Sequence, residues 1–360
     1  MPVAEKQPPT GMQVEREVER FLAERIPSGW SLQARRTEAP TGRHRTDLLA
    51  EVASPTGETA VLAVEIKRTL EPRDILHVVE QLSTVATGES SCAVPVVAAA
   101  YLSPRARALL RDRGVGYVDT TGNVRIEIST PGLFIATDGA DRDPWPRDHK
   151  LRSLRGRGAA RAMRAIIDTS PPFGVRELAK TTGASAPTLS RVLDLLEREA
   201  IVTRTRGAVA TVDWQGAIRR WAEDYGQTES NTPTTVLEPR GLPALEKKLR
   251  ATKFAYAATG ALAAQRFDPI APARLAGIFV TDAILAIDRL DLRETDAGAN
   301  VVLLEPLDPV AFDRTVERDG LRCVAPSQLA VDLLTGPGRE PSQGEQMLKW
   351  MEKNERVWRS

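Results

Sequence analysis

The hydrophobic pattern of the first block of the chain changes repeatedly between helical and extended spacing. Apolar residues three and four positions apart predict an amphipathic helix over residues 12–26. Extended segments follow at residues 46–52 and 60–68, and a helix over residues 73–87 separates them from an apolar strand at residues 92–102. Strands that alternate with helices predict an α/β core. A short helix and two strands complete the block: residues 103–114, 116–119 and 123–128.

The middle block has a predominantly helical pattern. A first helix is predicted over residues 158–167, because the pair of prolines after it cannot continue a helix. Residues 175–181 predict a short second helix, and the glycine that follows supplies a tight turn. Ser185 can cap a third helix. A two-stranded hairpin is then predicted over residues 201–209.

The last block mixes both spacings. Helices are predicted over residues 242–252 and 259–265, and strands over residues 276–280 and 300–304. The preceding residues 226–241 are polar and proline-rich, which predicts a linker. We therefore expect a multidomain protein of mixed α/β and α+β class with three domains: residues 12–140, 158–226 and 241–360.

The composition is that of an ordinary globular protein. The 360 residues are 42% hydrophobic and 27% charged, with a net charge of +1. Cys92 and Cys323 offer neither a disulfide framework nor a zinc spacing, and the histidines are scattered. No stretch approaches the roughly 20 consecutive apolar residues of a membrane span. We expect a cytoplasmic protein without a membrane partner, associated with the nucleoid if it binds DNA.

An acidic and a basic side chain share one face of the predicted strand at residues 60–68. Strand alternation places Glu65 and Lys67 together, opposite the apolar face. With 17 residues between Asp47 and Glu65, a hairpin can bring the two acids side by side. Two carboxylates and a main-chain carbonyl suit Mg²⁺, which activates water beside a scissile phosphate. The alternative is a solvated strand face.

The order of an acid followed by E-x-K on the next strand resembles the PD-(D/E)xK nuclease superfamily. The resemblance covers residues 12–137. It implies that Asp47 and Glu65 hold the metal and that Lys67 acts beside them in catalysis. It also implies a restriction-endonuclease-like α/β domain and a Mg²⁺-dependent DNA endonuclease. Such folds are also reused for binding, so the alternative is a domain that binds DNA without cleaving it.

Further polar residues match positions that superfamily members use. Gln81, in the predicted helix after the E-x-K strand, resembles a glutamine that several branches place near the catalytic site. Glu15 or Glu19 of the opening helix resembles an additional glutamate of many members.

Basic residues are concentrated just before the helices of the middle block. Eight basic and only two acidic residues occur in this run, which is typical of sequence-independent contact with DNA phosphates. Arg155 and Arg157 are the members that we expect to contact DNA, and a solvated linker is the alternative. The basic residues are Arg142, Arg147, Lys150, Arg152, Arg155, Arg157, Arg161 and Arg164.

The three helices and the hairpin resemble the winged helix-turn-helix fold of bacterial transcription regulators. In that fold the third helix would carry Thr188, Ser190 and Arg191 to base edges in the major groove of double-stranded DNA. On the hairpin, Arg204 and Arg206 would grip the backbone or the minor groove. A winged helix used only for protein contact is the alternative.

The last block resembles the C-terminal region of AbiEi-type antitoxins, in which a domain distantly similar to nucleotidyltransferases follows a winged helix. The resemblance covers residues 158–345 and implies a cognate toxin as a partner. Ala261 follows Gly260, and no D-x-D or D-x-E triplet follows on the next strand, so we expect a non-catalytic domain. The best-matching pieces are Thr259-Gly260, Asn300-Val301, Asp332-Leu333-Leu334 and Pro337-Gly338-Arg339.

Three functional hypotheses follow from the sequence. The preferred one is a DNA-binding transcription regulator of the AbiEi-antitoxin-like class, which needs no cofactor to bind DNA. The alternative is a Mg²⁺-dependent DNA endonuclease directed to its target by the winged helix. The third is an antitoxin that acts mainly by protein contact. A homodimer and an inducing ligand both stay open.

Overall fold

A computed structural model describes most of the chain as two compact units. The first comprises Met1–His149 with Arg198–Ala200, and the second comprises Lys150–Glu197 with Ile201–Ser360. Each unit combines strands with helices, which confirms the expected mixed α/β class. No helix in the described ranges is long and apolar enough to cross a membrane. The described residues are 8–36, 47–86, 93–145, 151, 153–268, 272–295 and 297–360.

The first unit contains one seven-stranded sheet whose strands lie in chain order. Its three central strands run parallel, and the strands on either side of them are antiparallel. Parallel neighbours require a crossover connection, which the helices between these strands supply. The elements are α1 (Gly11–Arg25), β1 (Ser31–Arg36), β2 (Leu48–Ala53), β3 (Thr59–Lys67), α2 (Ile75–Ala86), β4 (Val94–Ala99), α3 (Pro104–Arg111), β5 (Gly116–Asp119), β6 (Val124–Ile128) and β7 (Leu133–Thr137).

The two faces of this sheet are covered by different helices. Helix α1 buries Val14 and Val18 in one cluster with Val64 of β3. The crossover helices form a second cluster on the other face, in which Ile75 of α2 packs with Val97 of β4. This division decides which helix lies over the polar side chains at the ends of the strands.

The second unit contains a second seven-stranded sheet and a separate two-stranded hairpin. The helices are α4 (Arg157–Asp168), α5 (Val175–Thr182), α6 (Ala186–Arg198), α7 (Trp214–Ala222), α8 (Leu242–Ala251), α9 (Gly260–Ala264), α10 (Ala283–Leu290), α11 (Pro326–Leu334), α12 (Glu340–Lys353) and α13 (Glu355–Trp358). The strands are β8 (Val202–Thr205), β9 (Ala208–Val212), β10 (Thr232–Leu237), β11 (Tyr256–Thr259), β12 (Ala276–Val280), β13 (Arg293–Glu294), β14 (Val301–Glu305), β15 (Val316–Arg318) and β16 (Leu321–Cys323). The sheet has the order β13-β10-β14-β12-β11-β16-β15 and is mixed, with β12/β14 and β11/β16 as its parallel pairs.

One continuous apolar core runs through the second unit. It joins residues of the segment from α4 to β9, which we call the helix–hairpin segment, to residues of the sheet. The same core includes the helices outside both, where Trp358 of α13 makes an edge-to-face contact with Trp214 of α7 at 5.1 Å between ring centroids. The stretches predicted as a second and a third domain are therefore packed on a shared core.

The predicted linker at residues 226–241 is wrong, because β10 lies within it. This strand pairs with β14 from Thr232 to Val236 and with β13 at Val236 and Leu237, and Val236 is buried. Threonine and valine favour extended backbone, which the polar composition of the stretch concealed. Pro233 lies outside the short β13 pairing, so its missing N–H costs no hydrogen bond there.

Candidate functional site

Asp47, Glu65 and Lys67 lie together at the end of β3. The Leu48↔Val64 pair, extended by one position, sets Asp47 opposite Glu65 on the neighbouring antiparallel strand. Asp47 Oδ2 accepts a hydrogen bond from the backbone N–H of Ile66 at 2.8 Å. Lys67 Nζ donates to Glu65 Oε1 at 2.6 Å. The structure thus brings the three predicted site residues together.

Glu65 and Lys67 face the side of the sheet that carries α2. Register pairs Glu65 with Val97 and Lys67 with Ala99, and both partners pack beneath the crossover helices. Gln81 belongs to α2 and so lies on this side, where its Nε2 is 3.0 Å from His77 Nε2.

The glutamates of the opening helix do not share this face. Glu15 and Glu19 belong to α1, which packs against the opposite side of the sheet. The resemblance of one of them to an additional glutamate of superfamily members therefore does not place it with Glu65 and Lys67, and sequence spacing does not reveal which face a helix covers.

The carboxylates of this site leave two oxygens for a metal ion. Among the described contacts, Asp47 Oδ2 and Glu65 Oε1 are engaged, which leaves Asp47 Oδ1 and Glu65 Oε2. No group of three or more His, Cys, Asp or Glu suited to a metal occurs in the described residues. Mg²⁺ commonly binds one or two carboxylates and completes its shell with water and phosphate, so two carboxylates fit this ion.

The sequence analysis missed a buried carboxylate, Asp119, at the end of β5. It is paired in register with Ala99 and is fully buried. Its oxygens accept hydrogen bonds from the backbone N–H groups of Leu102, Thr121 and Asn123. These bonds organise the loops at the carboxyl ends of β4 and β5, which is a structural role.

The helix–hairpin segment contains two tight turns, and a glycine with positive φ lies in each of them. Gly183 ends α5 in the left-handed conformation, with φ of 66°, and the chain turns directly into α6. The loop between β8 and β9 is formed by Arg206 and Gly207, both with positive φ, as a tight two-residue hairpin requires. The side chain of Arg206 is exposed at this loop.

The predicted base-contacting residues lie on the first two turns of α6. Arg191 is exposed, and its Nε donates to Pro187 O at 3.3 Å. Thr188 and Ser190 are half-buried, and Thr188 Oγ1 accepts a hydrogen bond from Arg191 Nη2 at 3.4 Å. The three side chains are thus close to the amino-terminal end of this helix.

The basic run divides into exposed and internally paired residues. Arg155 and Arg157 are exposed. Arg161 pairs with Asp308 at 2.7 Å, and Arg164 is 2% exposed. The last two therefore do not belong to a phosphate-binding surface, contrary to the expectation for the run. Arg142 is exposed in the first unit. Three members lie outside the described residues: Arg147, Lys150 and Arg152.

Arg204 forms ion pairs inside the protein, contrary to the expectation that it contacts DNA. Its Nη2 donates to Asp194 Oδ1 at 2.6 Å and to Glu197 Oε2 at 2.5 Å. The hydrogen bonds to Glu197 and Asp194 raise the pKa of Arg204 above its usual range.

The sequence analysis did not select two exposed cations of α5, Arg176 and Lys180. Their spacing of four residues places them on one face of the helix, which is a signal that the sequence offered.

A buried polar cluster joins two pieces of the AbiEi resemblance. Thr259 Oγ1 donates to Asp332 Oδ2 at 2.6 Å, and Tyr225 donates to Asp332 Oδ1 at 2.7 Å. Glu340 lies nearby and accepts from Ala261 N at 3.0 Å. Burial raises the pKa of Asp332 to about 6 and that of Glu340 to about 7.

Comparison of the chain with protein-family models, with curated proteins and with solved structures gave no significant match.

Proposed function

We propose that this chain is a DNA-binding transcription regulator that binds duplex DNA through the helix–hairpin segment, acting as a winged helix. The observation that carries the proposal is the exposure of Arg191 on α6 and of Arg206 at the adjoining hairpin loop. A helix reached by a tight turn and followed by a hairpin is the arrangement that presents side chains to a groove and its flanking phosphates. We also propose that the regulator is of the AbiEi-antitoxin-like class and that its last block has a nucleotidyltransferase-like fold.

The side chains of this surface divide the work of DNA binding between base edges and phosphates. The amino-terminal half of α6 enters the major groove, where the fork of Arg191 donates to guanine O6 and N7. Thr188 and Ser190 reach neighbouring base edges or phosphates with their hydroxyl groups. Arg206, Arg155 and Arg157 neutralise phosphates and release counterions, which makes binding depend on salt.

The salt dependence of DNA binding tests the phosphate contacts. Replacing Arg206 by Ala is expected to weaken binding to all duplexes alike and to lower the slope of log K against log salt by about one unit, since one phosphate contact is lost. The Arg155→Ala/Arg157→Ala double variant is expected to lower it by about two. Fluorescence anisotropy with labelled duplex DNA measures both. Arg289→Ala, an exposed arginine on α10, is the control and should leave the slope unchanged. Salt-insensitive binding by wild type would contradict the mechanism.

A specific observation favours a second candidate function, a Mg²⁺-dependent DNA endonuclease in the first unit. It is the convergence of Asp47, Glu65 and Lys67 at the end of β3. Asp47 and Glu65 would hold the ion through their remaining oxygens, and bound Mg²⁺ would supply charge stabilisation and an activated water. Lys67, 34% exposed, would donate to the scissile phosphate. Gln81 lies on the helix above this face.

Cleavage assays decide the second candidate. Wild type is expected to nick plasmid DNA with Mg²⁺ or Mn²⁺. Glu65→Gln is expected to lower the rate of cleavage about 100-fold or more, because it removes a carboxylate ligand of the metal. Glu51→Gln changes an exposed glutamate of β2 and serves as the matched control. Duplex binding by the second unit should be equal in all three proteins. If wild type cuts with neither metal, the nuclease proposal is rejected and the regulator proposal stands.

A further inference from the structure

The position of Arg204 follows from the alternation of β8. Val202 is buried against the core, and the residues on either side of Arg204 are exposed threonines. Arg204 therefore shares the inner side of the strand with Val202, although a register shift occurs between Thr203 and Arg204. A guanidinium on this side reaches α6 rather than solvent. Its side chain is only 23% exposed.

One nitrogen of Arg204 joins two acidic side chains of the base-contacting helix. Asp194 and Glu197 are three positions apart on α6, and both accept from Nη2. Asp194 remains 49% exposed and Glu197 27% exposed, so both carboxylates are at the surface of α6. The contact links β8 to α6, so it fixes the hairpin relative to the helix.

The charge of these acids matters because they lie on the same helix as Arg191. Arg204 carries one positive charge against these two carboxylates, so the three groups together carry −1 with Arg204 and −2 without it. One uncompensated carboxylate about 7 Å from a phosphate weakens binding roughly threefold at the dielectric of water, and more in a dehydrated interface. Loss of Arg204 would therefore cost at least about threefold in affinity.

We propose that Arg204 is a positioning residue of the DNA-binding surface, which offsets one of the two negative charges of Asp194 and Glu197 and holds the hairpin on α6 without contacting DNA itself. This inference rests on the proposed function of the helix–hairpin segment. It separates the two hairpin arginines into different roles. Arg206 at the loop contacts phosphate, and Arg204 lowers the repulsion between the acidic side chains of α6 and phosphate.

Four proteins test the assignment: wild type, Arg204→Met, Asp194→Asn/Glu197→Gln, and the triple variant that combines them. Anisotropy titrations with a labelled duplex are run over a range of salt concentrations, and circular dichroism melting verifies that each protein is folded. Arg204→Met is expected to bind at least about threefold more weakly, because one carboxylate charge is no longer offset. The triple variant is expected to bind at least as tightly as wild type and with the wild-type salt slope, since its neutral side chains repel nothing and no phosphate contact is lost.

The alternatives give different results. If Arg204 contacts a phosphate directly, the triple variant stays as weak as the single one and the salt slope falls by about one unit in both. That result overturns the inference. If Arg204→Met does not fold, the acid-only double variant decides, since it must bind at least as tightly as wild type. Tenfold weaker binding by this variant overturns the inference. Wild type that binds no duplex at all rejects the proposed function instead.

Discussion

Replacing Arg164 by Met is expected to lower the free energy of unfolding of the second unit by about 3–5 kcal/mol, because it leaves a buried carboxylate without its counter-charge. The side chain is fully enclosed, and its Nε and Nη2 both donate to Asp168 Oδ2, at 3.1 and 3.0 Å. Other N–H groups donate to the carbonyls of Val310 and Asp313 at 3.0 and 3.1 Å. The substitution would therefore also remove a hydrogen bond from each of these carbonyls, although Val310 O keeps the bond from Asp313 N.

Urea unfolding monitored by circular dichroism measures this effect. Arg157→Met, an exposed change on the same helix, is the matched control and should shift stability by less than about 0.5 kcal/mol. Adding Asp168→Asn to Arg164→Met is expected to recover part of the loss, since the unpaired charge disappears. A loss below about 1 kcal/mol in Arg164→Met would show that the buried pair contributes little to stability.

Arg164 also illustrates where the sequence misleads. In the chain it is one of a series of arginines, and its neighbours Arg155 and Arg157 are exposed as the charge pattern suggests. What buries Arg164 is a set of acceptors at residues 310 and 313, about 150 positions away. Local periodicity carries no information about such distant partners. The carboxyl end of the same helix also has a partner distant in sequence, since Arg359 Nε donates a hydrogen bond to Ile167 O at 3.0 Å.

The fold was predictable where apolar spacing was strong. Helix α1 and strands β2, β3, β5 and β6 lie close to their predicted positions. Strand β1 was missed because Ser31–Arg36 is mostly polar and forms the edge of the sheet. Strand β7, Leu133–Thr137, was also missed, although its buried Leu133 and Ile135 alternate with exposed positions as in a half-buried strand.

The candidate sites divide along the same line. The meeting of Glu65, Lys67 and Asp47 was predictable, since it needs only strand alternation and one hairpin. The same rule, applied to Val202, would have placed Arg204 on the inner side of its strand. The acids that receive Arg204 could not be identified from the hairpin alone, because they belong to a preceding helix.

The pH dependence of stability is expected to change when Glu340 is replaced by Gln. Glu340 is buried, and Oε2 has no hydrogen-bond partner among the described atoms. Burial, and to a smaller extent the nearby Asp332, raises its pKa from 4.5 to about 7, against the lowering effect of the hydrogen bond from Ala261 N. Glutamine keeps an oxygen that can accept the bond from Ala261 N but carries no charge to bury.

The direction of the effect follows from linkage. Because the folded state holds the proton more tightly, Glu340 stabilises the fold fully below about pH 4.5, and this stability is lost as the pH rises through about 7. Wild type should therefore lose about 2–3 kcal/mol from this group between pH 5 and pH 8, whereas Glu340→Gln should not lose it. At pH 8 the variant should be the more stable protein. Urea unfolding at several pH values measures the difference, with Glu352→Gln, exposed on the same helix, as the control. A variant less stable than wild type at pH 8 would mean that the ionised carboxylate is itself stabilising, through a cation or water held at Oε2.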